Sequence, residues 1–218
     1  MSRDVRHELE SRIKDQFPAL FITLVSVLIG LVLADLISEA RARMVFLPIT
    51  LSTLRTWSEF AANLFSALVA WIVYAHIGIS RRRIPALPDA FIAFALPLCL
   101  LFGNSFVGRE RMWPWLYFAS FFLALSLATT LWLVHTLRAE TELATFRRLL
   151  RRDGYLSIFV TGSPFYLAAG WADQHHYLSP LLEVLCVAPA APSALLACHL
   201  FLRDWHYAIS TAPAIEPE

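Results

Sequence analysis

Asp35, Glu59 and Glu183 lie inside or at the edge of long apolar runs, and that setting makes them candidates for chemistry. A charge within a bilayer is expensive, so it pairs with another charge, faces water or moves an ion or proton. Glu39 follows Asp35 by about one helical turn. Glu59, Asn63, Ser66 and Ala70 recur at helical spacing and so share one face. Asp35, Glu39, Glu59, Asn63, Ser66 and Glu183 could therefore line an acidic outer vestibule and a path for an ion or small polar solute. The competing reading pairs these acids with Arg41, Arg43, Arg55, Arg109 and Arg111, which fall in the same stretches of the chain.

Histidines form a second group. His76, His135 and His199 each stand near the end of an alternate apolar run, shortly before arginine. Parallel helices would hold them at one depth, where imidazoles could accept protons or ligate a metal or haem. Equally, they could simply face lipid headgroups. Asp173, His175 and His176 offer a carboxylate and two imidazoles in one short connection. Adjacent histidines do not easily turn onto a single ion, so that metal signal is weak. Cys99, Cys186 and Cys198 all lie in apolar runs, which suits packing rather than a disulfide framework.

Prolines mark a third group. Pro97, Pro164, Pro189 and Pro192 interrupt apolar runs, and each removes a backbone donor. Gly162-Ser163-Pro164 and the segment from Ala188 to Ser193 are the strongest candidates for broken helices, a feature of transporter binding sites. Prolines are also common in membrane helices that transport nothing.

The elements that must position these residues follow from hydropathy. The 218-residue chain is 58% hydrophobic and 16% charged, with mean hydropathy +0.58. Spans of roughly 20 apolar residues cross a bilayer, and backbone groups in lipid must bond internally. Six spans are expected, over 18–38, 59–80, 88–107, 114–135, 155–172 and 180–202. The fold class is thus all-α, a polytopic membrane protein with six transmembrane helices. Thirteen of the 18 basic residues fall on one side, in the two ends of the chain and the alternate connections that share it. The positive-inside rule then makes the N- and C-termini cytoplasmic.

Three domains are expected: a cytoplasmic amphipathic helix over 1–17, a transmembrane domain over 18–202 and a tail over 203–218. Residues 39–58 read as a long connection with an interfacial apolar segment. Residues 137–153 read as a basic cytoplasmic helix, with Arg147, Arg148, Arg151 and Arg152 meeting anionic lipid headgroups. Ser26, Gly30 and Ala34 in span 1, and Ala62, Ser66 and Ala70 in span 2, have the spacing that lets membrane helices approach closely.

No HExxH, GxSxG or P-loop is present, and no Thr-Val-Gly-Tyr-Gly filter. No enzyme reading is therefore favoured. The leading expectation is a small channel or transporter in a bacterial inner membrane, working as a homo-oligomer or within a membrane complex. A non-transporting sensor, defence effector or assembly subunit is the alternative, and a haem or metal redox protein a second one. Nucleic acid is not an expected partner, and the sequence names no cofactor.

Overall fold

The structure is a computed structural model that describes residues 3–43, 48–80, 87–136 and 155–210. Every described element is helical. In chain order they are α1 (Arg3–Arg43), α2 (Leu51–Ser80), α3 (Leu87–Asn104), α4 (Trp113–Thr136), α5 (Tyr155–Gln174), α6 (Pro180–Val187) and α7 (Ala190–Ser210). Among the described residues, four stretches are long and apolar enough to cross a membrane: Ala19–Arg43, Leu51–Ala75, Trp113–Trp132 and Pro180–Leu200. The apolar part of α3, Phe94–Asn104, is shorter.

Helix ends depart from the sequence expectation at three places. The N-terminal segment and the first span are one uninterrupted helix through Arg43. The second span does not begin at Glu59. Thr50 starts α2 earlier, because its Oγ1 accepts the backbone N–H of Thr53 at 3.2 Å and caps the first turn. The expected 39–58 connection therefore narrows to 44–50, of which 44–47 lie outside the described residues. At the other end of the chain, α7 runs past 202 to Ser210.

The last span is broken. α6 and α7 are separated at Ala188 and Pro189. Pro192 falls in the first turn of α7, where no intrahelical donor is required. Pro97 and Pro164 instead lie within the assigned lengths of α3 and α5.

α2 is central and packs against α1, α3, α6 and α7, while α4 lies chiefly on α5. The core joins Phe21, Val25, Ile29, Val32 and Leu36 of α1 with Tyr74 of α2, Leu100 of α3 and Trp115 of α4. α1 thus buries its bulky stripe. Its small stripe of Ser26, Gly30 and Ala34 is exposed, and a methyl group placed on Gly30 would meet no atom within 4 Å. In α2, by contrast, Ala62 and Ala70 are buried and Ser66 half-buried, in keeping with close helix approach. α3 and α4 come so near that a Cβ on Gly103 would overlap the Phe118 ring. Ser120 and Ser163 tie α4 to α5 reciprocally, each hydroxyl donating to the other's carbonyl at 2.8 and 3.0 Å.

Candidate functional site

Three polar networks gather at one end of the bundle, and two of them bond to the connection between α3 and α4, residues 105–112. The first is centred on α2. Arg55 and Glu59 lie one turn apart on a buried face, with Glu59 only 1% exposed. The Arg55 Nη1 donates to Glu183 Oε2 of α6 at 2.6 Å. Its Nη2 donates to the carbonyls of Arg109 and Glu110 at 2.6 and 3.3 Å. Glu59 Oε2 accepts from the Gly108 backbone N–H at 2.7 Å. Gly108 has φ +68, and an added Cβ would press on Thr56 and Arg43, so glycine suits both the turn and the clamp. Two carboxylates thus face one guanidinium.

The second network crosses four helices as a chain of side chains. Trp115 Nε1 of α4 donates to Asn63 Oδ1 of α2 at 3.2 Å. Asn63 Nδ2 donates to Asn104 Oδ1 of α3 at 3.1 Å. Asn104 Nδ2 donates to Asp35 Oδ2 of α1 at 3.1 Å and to the Val32 carbonyl at 2.9 Å. Every donor in this chain points toward the Asp35 carboxylate. Such a directed series polarises along its length and stabilises the charge at its end. Both amides are nearly inaccessible, with Asn63 2% and Asn104 0% exposed.

The third network lies at the end of α1. Glu39 pairs with Arg43 at 2.8 Å, and Arg43 Nη1 donates to the carbonyls of Ser105 and Val107. α1 and α2 therefore both grip the α3–α4 connection, through Arg43, Arg55 and Glu59, and α6 is tied to α2 through Glu183.

The structure brings Asp35, Glu39, Glu59, Asn63 and Glu183 to this end of the bundle. It surrounds them with partners. Glu59 and Asn63 are bonded to neighbouring elements, and Ser66 joins none of these three networks. Arg41 and Arg111 are exposed, while Arg55 and Arg43 are the arginines that engage the acids.

Asp173 acts as a cap. Its Oδ2 accepts the backbone N–H of Trp113 at 2.7 Å, satisfying one free donor at the start of α4. His176 has φ 60 and terminates α5. The Tyr177 N–H bonds to the Ala172 carbonyl and the His176 N–H to the Asp173 carbonyl, both at 2.9 Å, the Schellman pattern of a helix end. His175 stacks on Trp171, with ring centres 4.6 Å apart. Asp173, His175 and His176, a weak metal signal in the sequence, are engaged in these helix-end contacts, and among the described residues no three potential ligands gather.

His199 is exposed on α7. His76 and His135 lie on α2 and α4, outside the residues whose side chains are described. Arg147, Arg148, Arg151 and Arg152 also lie outside the described residues, as does the whole 137–153 segment. Pro164 borders a shallow apolar groove of about 330 Å³ between α4 and α5, with Ala124, Ala128, Phe159 and Val160.

Sequence reasoning underrated Arg55 and missed Asn104, Trp115 and Gly108. A signal existed for two of them. Arg55 precedes Glu59 by one helical turn, and Asn104 is a lone amide closing an apolar run. No family model matches this chain, and no curated protein or solved structure matches it at a significant level.

Proposed function

We propose that this chain is a subunit of a membrane assembly, with six spans and both termini in the cytoplasm of a bacterial inner membrane. In this reading α3 and α5 complete the set of spans. The polar end of the bundle serves as a rigid clamp, and the working surface is the outward stripe of α1. The observation that carries this reading is the fate of the polar groups. Glu59 and Asn63, which a path would need facing water, are 1% and 2% exposed and bonded to neighbouring elements. The face of α1 around Gly30 is exposed: a Cβ on Gly30 would meet nothing within 4 Å, although Ser26 one turn earlier accepts the Trp71 Nε1–H at 3.0 Å.

Purification from native membranes in a mild detergent tests this. The expected result is a stoichiometric companion, either a second copy or another membrane protein, that is lost on Gly30→Leu without loss of the folded chain. An unaccompanied chain in both proteins would count against the reading.

A second reading, a small transporter for an ion or small polar solute, is favoured by two observations. One guanidinium serves two carboxylates in a buried cluster, and the last span is broken at Ala188–Pro189 beside that cluster. Liposome flux that falls on Glu59→Gln or Asp35→Asn in a folded protein would favour it over the first.

A further inference from the structure

Asp35 lies inside the apolar stretch Ala19–Arg43, about one helical turn deeper than Glu39. Its short side chain cannot cover the roughly 6 Å of that turn. Glu39 has Arg43, and Glu59 and Glu183 share Arg55. Asp35 instead receives an uncharged amide, Asn104 Nδ2 at 3.1 Å. Among the described residues, no arginine or lysine forms an ion pair with it.

That amide is held in place. Asn104 is 0% exposed, bonds the Val32 carbonyl as well, and has Asn63 and Trp115 in series behind it. Donors aimed one after another at a carboxylate stabilise its charge, but they supply no counter-charge. A charge at such a depth is kept where it pairs with an opposite charge or faces water. The open side of Asp35 belongs to the outward face of α1. Leu31 and Ser38 are its neighbours on the helix surface, at i−4 and i+3, and both are exposed, as are Gly30 and Ala34 beside them.

A second copy of this chain does not supply the cation. Copies insert in one orientation, because the same charges direct each of them. The exposed Arg41 stands six residues beyond Asp35 on α1, about 9 Å further toward the end of the bundle. Arg109 and Arg111 lie in the connection beyond Asn104, and Arg43 and Arg55 are engaged already. No described span carries arginine or lysine level with Asp35.

We propose that the companion of this chain is a different membrane protein, one of whose helices lies along the outward face of α1 and sets a lysine or arginine on the Asp35 carboxylate. This deepens, and rests on, the reading of that face as the assembly surface. Asn104 holds Oδ2, which leaves Oδ1 for the incoming cation. A long basic side chain suits the task, since its stem packs along apolar surface while its head reaches the charge. The same carboxylate selects against self-association, which would cover it without a counter-charge.

Photo-crosslinking from position 31 of the full chain in native membranes tests this. The parent should give a discrete adduct whose other component is not this chain and whose crosslinked segment contains lysine or arginine. Asp35→Asn keeps an acceptor for Asn104 and should lower the adduct yield about tenfold, whereas Asp35→Glu should retain it. Asp35→Arg should abolish the adduct, and changing the companion's basic residue to aspartate should restore it. A merely structural role for Asp35 gives no such rescue. An adduct of this chain with itself would overturn the proposal and leave the subunit reading standing. Equal yields from the parent and Asp35→Asn, or exchange without rescue, would do the same. Crosslinking to lipid alone in the parent would overturn both.

Discussion

Asn104 does more for this end of the molecule than its single amide suggests. It accepts from Asn63 and donates to both Asp35 and the Val32 backbone, so one buried side chain links α1, α2 and α3. Asn104→Ala leaves the Asn63 amide and the Asp35 carboxylate short of partners at once. Leaving one buried polar group unsatisfied costs about 1–3 kcal/mol, and the loss here should be at the upper end of that range. Thermal unfolding of the detergent-solubilised protein would measure it. Asp35→Asn, which removes the charge and keeps an acceptor, should cost less. Little of this was legible beforehand. The sequence shows which residues are polar within apolar runs, but not which of them meet, because partners 41 and 69 residues apart are set by helix packing.

At the scale of elements, local chemistry explains where helices start and stop. Thr50 starts α2, Ser179 and Pro180 start α6, and His176 ends α5. Four long helical runs are readable from hydropathy, but the start of α2 is not, because Pro48 and the arginines around it interrupt the apolar pattern before Glu59. Residues 51–58 are helical because the cap and the buried Arg55–Glu59 pair support that turn. On α1 the bulky stripe from Phe21 to Leu36 buries more apolar area and faces the core, which leaves the small-residue stripe outside. Where α3 meets α4, Gly103 is required by the Phe118 ring. Gly103→Ala should destabilise the protein by about 1–3 kcal/mol, the usual cost of overpacking. Adding Phe118→Leu should recover part of that loss, as expected for two residues in direct contact. Unfolding midpoints of the two single variants and the double variant would check this.

Across the whole molecule, the end of α1, the starts of α2, α4 and α6 and the end of α5 meet at one end of the bundle. Arg43 reaches Ser105, Arg55 reaches Glu183, and Asp173 reaches Trp113. The acids collected there form a bonded clamp on residues 105–112, while α1 presents its small residues outward. The account's central claim is that this outward face receives another membrane helix. Site-specific photo-crosslinking in native membranes tests it most directly, with the reactive side chain placed in turn at positions 29, 30 and 34. The account predicts a discrete adduct from 30 and 34 and none from 29, whose native Ile29 is 3% exposed. Crosslinking to lipid alone from all three positions would contradict it.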